Sequence, residues 1–197
     1  GSTSSQAHSG LAGLYLIEDD NSANLPIPKT YGVDDIPLVV QDRDFDAGVM
    51  VPYSATRREM MNGKREDTII VNGTVNPFVE VPQGWIRLRL LNGSNARFYD
   101  FHLNGGERFY KIATEGGLLE EPVEVSSLRM VPGERNEIMI NVSGSRWGSP
   151  QKRAHICFER EICITLFYPL PVRQGTFSLL NVSSLLASIP ATMRTVW

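Results

Sequence analysis

The side chains of this 197-residue chain that are best suited to chemistry are three histidines and two cysteines. They are His8, His102, His155, Cys157 and Cys163. His155 and Cys157 form a His-x-Cys pair, and a blue-copper site uses two imidazoles and a thiolate. A ligand loop of that kind needs another histidine soon after the cysteine, and the segment from Phe158 to Thr165 contains none. We therefore expect no catalytic, cofactor-binding or metal-ligating residue in this chain.

Each of these side chains also has an ordinary structural interpretation. We expect His8 to be a surface histidine, and His102 to be a half-buried packing residue on the same strand face as Phe98 and Asp100. Cys157 and Cys163 are six positions apart, so on one strand they would lie about 20 Å apart at about 3.3 Å per residue. The sequence favours two free thiols, which could bond only if the chain turns between them.

Two further motifs could bind a metal ion. Asp42, Asp44 and Asp46 begin like a calcium loop, but the sharp-turn position holds Ala47 and the twelfth position holds Tyr53 instead of a bidentate glutamate. We interpret the segment as an exposed strand end. Methionines that could handle copper(I) occur at three dispersed positions, which is more typical of loop and core filling; they are Met50, Met60 and Met61.

The composition excludes several classes of protein. The net charge of −3 and the isoelectric point near 5.7 do not suggest nucleic-acid binding, and the basic clusters at 57–65 and 152–153 are expected to be solvated loops. No apolar run approaches the roughly 18 residues of a membrane span. The opening GSTSSQ resembles the remnant of an expression tag, and no signal peptide is visible.

Turn signals recur about every ten residues, and short apolar runs lie between them. They include Asn72-Gly73, Asn92-Gly93, Gly116-Gly117 and Pro132-Gly133. In the run from Trp85 to Leu91, Ile86, Leu88 and Leu90 alternate with two arginines, which predicts a strand with one buried and one wet face. No segment has a sustained helical period. The pattern predicts an all-β antiparallel sandwich with a polar surface excursion at 43–66.

Four collinear stretches carry a resemblance to a known family. They are GLAGLYLIEDD (10–20), YGVDDIPLVVQD (31–42), DTIIVNGTVNPFVEVPQGWIRLRLLNGSNARFYDFHL (67–103) and GGLLEEPVEVSSLRMVPGERNEIMINVS (116–143). The chain resembles the bacterial three-domain multicopper oxidases, which include cuprous oxidases, laccases and a copper-free cell-division relative. The resemblance implies a cupredoxin-like Greek-key sandwich. Residues 144–168 match nothing in that family.

The resemblance also implies a domain division. Residues 1–29 would comprise the tag-like start, the closing strand of a missing first cupredoxin domain and a linker. Residues 30–168 would form the second cupredoxin-like domain, and residues 169–197 a linker-like tail. Separated from its domain, the apolar strand at 10–20 should dock on an edge of the sandwich or pair with a second copy of the chain.

The resemblance bears on function through the copper ligands. An oxidase of this family needs a type 1 copper and a trinuclear cluster, which together require several His-x-His pairs and a His-Cys-His motif. Three histidines cannot supply them, so the resemblance implies a structural, copper-free second domain. Its partners would be the first and third domains of a periplasmic or secreted parent, which would bind copper if it is an oxidase.

Two alternatives remain at this point. The parent could itself be a copper-free periplasmic scaffold of the cell-division type. The chain could also be a stand-alone blue-copper electron carrier, but the small number of histidines argues against this second alternative.

Overall fold

The computed structural model describes residues 1–104 and 106–142 in full, together with the backbone of the strands at 152–158 and 162–168. The linker-like tail predicted at 169–197 lies outside the described residues. Fourteen strands and three short helices make up the described part of the chain.

The three helices are α1 (Thr3–His8), α2 (Asp20–Asn24) and α3 (Arg57–Asn62). Capping boxes begin α2 and α3, in which Asp19 and Thr56 accept hydrogen bonds from the backbone N–H groups of Ser22 and Glu59. Each helix has only five or six residues. They are too short to produce an apolar period, which is why the sequence did not predict them.

The strands form two main sheets and one small hairpin. Their bounds are β1 (Asp35–Arg43), β2 (Phe45–Asp46), β3 (Val49–Met50), β4 (Thr68–Val71), β5 (Thr74–Val75), β6 (Phe78–Glu80), β7 (Trp85–Asn92), β8 (Tyr99–Leu103), β9 (Phe109–Thr114), β10 (Gly117–Val125), β11 (Ser127–Met130), β12 (Arg135–Asn141), β13 (Lys152–Phe158) and β14 (Ile162–Tyr168). The large sheet has the order β10-β9-β12-β7-β1-β4-β5, and the small sheet has the order β11-β8-β13-β14-β6. The hairpin joins β2 to β3 within the 43–66 excursion. The all-β sandwich predicted from the sequence is confirmed.

Not every neighbour in these sheets is antiparallel. β1 runs parallel to β7, and β6 runs parallel to β14. Parallel neighbours need a long connection between them, and the 43–66 excursion and β4 to β6 supply it for β1 and β7. The sandwich is therefore built from mixed sheets.

The core lies between the two sheets and follows the alternation seen in the sequence. Ile86, Leu88 and Leu90 of β7 are completely or almost completely buried. Between the sheets, Phe101 of β8 meets Phe109 of β9 edge to face, with ring centroids 5.5 Å apart. Burying one such large apolar side chain stabilises the fold by about 1.5–3 kcal/mol.

The second face of β7 differs from the prediction. The prediction that Arg87 and Arg89 face solvent was wrong, because the two side chains are only 4% and 6% exposed. Residues 1–34, called the N-terminal arm below, contact this side of the large sheet. Asp34 accepts a hydrogen bond from the backbone N–H of Arg87, and Ala7 accepts one from the side chain of Arg43.

The apolar segment of the arm does not extend either sheet. Residues 11–19 belong to no helix or strand and pair with no sheet edge in the part of the chain that the structure describes. Their burial nevertheless alternates, since Ala12, Leu14 and Leu16 are half-buried. The exposed positions between them include Leu11, Tyr15 and Ile17.

Candidate functional site

His8 is the last residue of α1 and lies in the interior. Its side chain is 1% exposed, and its Nε2 lies 3.0 Å from Oε1 of Glu66. The ring also contacts Tyr53, with ring centroids 5.4 Å apart. The expectation of a surface histidine was wrong, because α1 packs against the 43–66 excursion, which supplies both Glu66 and Tyr53.

Glu66 is shared with a lysine. Lys64 Nζ donates to Oε1 of Glu66 at 2.9 Å and lies 3.5 Å from Oδ2 of Asp44. Burial alone would lower the pKa of Lys64, but the hydrogen bond to Glu66 and the nearby carboxylates raise it above its ordinary value. Lys64 therefore stays charged, and it is not the solvated loop residue that the sequence suggested.

Asp42 is also buried, and one oxygen of its carboxylate accepts two hydrogen bonds. Its Oδ2 accepts the backbone N–H of Glu66 at 2.9 Å and Nε of Arg97 at 3.2 Å. The neighbouring Arg43 donates to the carbonyls of Asp42 and Ala7, and burial lowers its pKa. The strand end predicted here is present, but it is not exposed at Asp42 and Arg43. The carboxylate that would begin a calcium loop instead orders the backbone.

A second ion network spans β1, β7 and β12. Arg89 forms a bidentate pair with Asp35, with Nε–Oδ1 at 2.8 Å and Nη2–Oδ2 at 2.6 Å. Its Nη1 also donates to Glu137 at 3.2 Å, and Glu137 accepts from Arg87 as well. Burial would lower the pKa of Arg89, but the pair with Asp35 raises it.

This network lies beneath the N-terminal arm. The pKa of Tyr31 in the arm is raised, mainly by burial and to a smaller extent by the charge of Asp35. The charge of Glu18, also in the arm, contributes to raising the pKa of Arg89. The sequence signal for this network was a pair of arginines in an otherwise apolar strand. The sequence did not show that another segment would cover them.

The remaining histidines and both cysteines lie on the small sheet. His102 is half-buried in β8, as predicted, on the face opposite the core residues Phe101 and Leu103. His155 occupies a β13 position whose Cα partner is Thr165. Cys157 and Cys163 are Cα partners across the β13–β14 pair, so the expectation that they share one strand was wrong.

The three methionines of the excursion are exposed, as Met50 lies in β3 and Met60 and Met61 in α3. They lie in a strand and a helix of the 43–66 excursion, so the expectation that they fill loops and the core was wrong. Within residues 1–104 and 106–142, no cluster of three or more His, Cys, Asp or Glu side chains could hold a metal ion. In the same residues no helix has the length and apolar character needed to cross a membrane.

The most distinctive surface feature is the exposed side of the arm. Leu11, Tyr15 and Ile17 are 55%, 60% and 77% exposed at alternating positions of an extended segment. Large apolar side chains on an extended segment are a usual sign of a partner surface. Two contacts fix the arm to the sandwich near its ends, since His8 lies against Glu66 and Asp34 accepts the backbone N–H of Arg87.

Comparison with known proteins agrees with this architecture. No protein-family model matches the chain. The cell division protein FtsP of Xenorhabdus nematophila is 48% identical over 141 residues, which are 72% of this chain and 29% of that protein. FtsP of Escherichia coli K12 is 44% identical over the same length. The chain thus spans less than a third of the curated relatives that it matches.

Solved structures with the same fold include copper oxidases. A laccase-like multicopper oxidase CueO from Ochrobactrum sp. superposes with a TM-score of 0.76 at 32% identity, over 91% of this chain and 40% of that one. A laccase from Pediococcus acidilactici superposes with a TM-score of 0.67 at 30% identity, over 82% of this chain and 33% of that one. The collinear motifs, the mixed-sheet sandwich and these superpositions together show that the chain belongs to the multicopper oxidase family and has its cupredoxin-like fold.

Proposed function

We propose that this chain is a structural, copper-free segment of a longer protein. Residues 30–168 are its second cupredoxin-like domain, and residues 1–29 include a segment that would form the closing strand of a neighbouring first domain. The observation that carries the proposal is the outward apolar row of Leu11, Tyr15 and Ile17 on a segment that pairs with neither sheet. Covering such a row with a further surface would remove its apolar area from water and stabilise the assembly.

One of the three histidines is committed to a contact inside the fold. His8 is engaged by Glu66 in the interior, and His102 stands on an outer sheet face without a second histidine in register beside it. The role that remains is mechanical. The domain would hold the first and third domains in register, so that a copper cluster can form at the surface those domains share.

Two activities of the whole protein are compatible with this role. The resemblance to the oxidases favours one-electron oxidation of metal ions or phenols coupled to reduction of dioxygen to water, with copper bound by the flanking domains. The 48% identity to FtsP favours a copper-free scaffold of the cell-division type. Either protein would be periplasmic or secreted. The presence of His-x-His and His-Cys-His motifs in the flanking reading frame would support the oxidase, and their absence would support the scaffold.

A binding experiment tests the structural role. The flanking domains, produced separately, should bind this chain in calorimetry or size-exclusion chromatography. Ile17→Asp should abolish that binding without lowering the melting temperature, because Ile17 is exposed in the isolated chain. Val123→Asp, a matched change on the exposed side of β10, should leave binding intact. Equal binding by all three chains would contradict the proposed contact.

The same row predicts the behaviour of the isolated chain. Without its neighbour, the arm should pair with the arm of a second copy at high concentration. Light scattering should then show dimers that Ile17→Asp converts to monomers. A monomer of the unmodified chain at millimolar concentration would argue against pairing through the arm.

A further inference from the structure

The two cysteines of the chain occupy directly opposed positions in the small sheet. β13 and β14 are antiparallel, and Cys157 is the Cα partner of Cys163 in an uninterrupted register that runs from Lys152–Tyr168 to Phe158–Ile162. Directly opposed residues of an antiparallel pair have Cα atoms about 4.5–5.5 Å apart. A disulfide joins Cα atoms about 4.4–6.8 Å apart. The register therefore places the two residues at bonding separation.

A histidine occupies the next position in the same row. His102 of β8 is the Cα partner of Cys157, so His102, Cys157 and Cys163 are aligned across three neighbouring strands. Aligned positions lie on one face of a sheet, and successive residues of a strand alternate between faces. Because Phe101 and Leu103 lie in the core, this row belongs to the outer face, where His102 is half-buried.

We propose that Cys157 and Cys163 form a reversible dithiol–disulfide site, with His102 as the general base that accepts the proton of the Cys157 thiol. The oxidant is a disulfide of the glutathione class. The Cys157 thiolate attacks that disulfide, forms a mixed disulfide and releases one glutathione thiolate. The Cys163 thiolate then attacks Sγ of Cys157, closes the intramolecular bond and releases the second thiolate. The chain loses two electrons and two protons, and the oxidised glutathione gains them.

Mechanical reinforcement is a poor explanation for a bond at this place. A disulfide stabilises mainly by restricting the unfolded chain, and the effect is smallest for short loops. Only five residues lie between the two cysteines, and the strands on either side are already paired along seven positions. The bond would change the chemistry of this surface more than the stability of the fold. The proposal does not depend on the proposed function of the whole protein.

Equilibration of the full chain in glutathione buffers of graded redox ratio tests the site. The samples are quenched with acid, alkylated and measured by intact-mass and peptide mass spectrometry. With rising oxidised glutathione, we expect a monomer that loses two hydrogens and both alkylation sites together, with a peptide link between Cys157 and Cys163. Two cysteines that stay alkylated at every ratio, or that carry only separate glutathione adducts, would overturn the proposal.

Two variants test the order of the steps and the role of the histidine. Cys163→Ser should accumulate the mixed disulfide at Cys157, because the second attack is lost, and failure to trap any adduct would contradict this order. His102→Gln should react several-fold more slowly with the oxidant near neutral pH but as fast as the unmodified chain at alkaline pH, where the thiol ionises unaided. An equal slowing at both pH values would show that His102 acts only through the structure.

Discussion

Nε2 of His8 lies 3.0 Å from Oε1 of Glu66, which joins two buried residues 58 positions apart in the sequence. The contact ties α1 to the segment that leads into β4. It makes the start of the chain part of the fold, and it removes one of only three histidines from any metal site.

Replacing this histidine should loosen the arm. His8→Ala leaves the buried carboxylate of Glu66 with Lys64 as its remaining side-chain partner. An unsatisfied buried polar group costs about 1–3 kcal/mol, so we expect a loss of that size in the free energy of unfolding by urea. Limited proteolysis should also cleave the arm faster. His102→Ala, on an outer face, should change the free energy by less than about 0.5 kcal/mol, and equal losses in the two variants would contradict the assignment.

The Arg89–Asp35 pair should be far more important for stability than an exposed pair of the same geometry. Arg89→Met leaves the buried carboxylate of Asp35 with Arg87, whose Nη1 is 3.9 Å away. We expect a loss of about 3–5 kcal/mol in chemical denaturation, because the buried charge of Asp35 loses both of its short hydrogen bonds and keeps only the more distant arginine. The added change Asp35→Leu should recover part of the loss.

Arg129 and Asp100 provide the matched control. They also form a bidentate pair, with two contacts of 2.8 Å, but both side chains are exposed. Arg129→Met should therefore have a much smaller effect than Arg89→Met. Similar effects of the two changes would mean that the arm does not shield β7 from solvent.

The exposed pair should be visible in a pH titration. The hydrogen bond from Arg129 holds the pKa of Asp100 below its ordinary value of 3.8. A carboxylate with a lowered folded pKa contributes stability that is fully present above its unfolded pKa and is lost as the pH falls through the folded pKa. NMR titration should give a midpoint for Asp100 below 3.8, and Arg129→Met should raise it. An unchanged midpoint in the variant would exclude this ion pair in solution.

Gly63 tests how the 43–66 excursion packs on the sandwich. It has φ near +84°, and a Cβ placed on it would overlap the Cβ of Ala96. Gly48 has a similar φ of +81° with open space around it. Backbone strain at such a residue costs about 1–3 kcal/mol. Thermal unfolding should thus show that Gly63→Ala destabilises the chain more than Gly48→Ala does.

A compensating change separates overlap from strain. Gly63→Ala combined with Ala96→Gly should unfold at a temperature close to that of Gly48→Ala, since only the backbone strain remains. If the double variant is no more stable than Gly63→Ala, the excursion does not pack against Ala96.

The sequence predicted what depends on local pattern. The alternation of Ile86, Leu88 and Leu90 identified β7 and its core face, and Asn72-Gly73 identified a turn, where Asn72 has φ of +48°. It did not predict the environment of Arg87 and Arg89, because their burial depends on the arm, which lies far away in the sequence. The same reason explains His8, whose partner Glu66 is 58 residues away.

The pairing register of the strands was the second feature that the sequence could not predict. The spacing of Cys157 and Cys163 fits one long strand as well as a hairpin, and only the pairing of β13 with β14 distinguishes them. The short helices were missed because five or six residues carry no period, although the Thr56 and Glu59 capping box was a signal available in the sequence.

The most direct test of the central claim, that this chain is a copper-free structural segment, is an aerobic titration of the purified full-length chain with copper(II), followed by visible absorption and electron paramagnetic resonance. We predict no intense blue thiolate band and no type 1 copper signal, because the segment after Cys157 lacks the histidine that a blue-copper ligand loop requires. A strong blue band that disappears in Cys157→Ser would contradict the account.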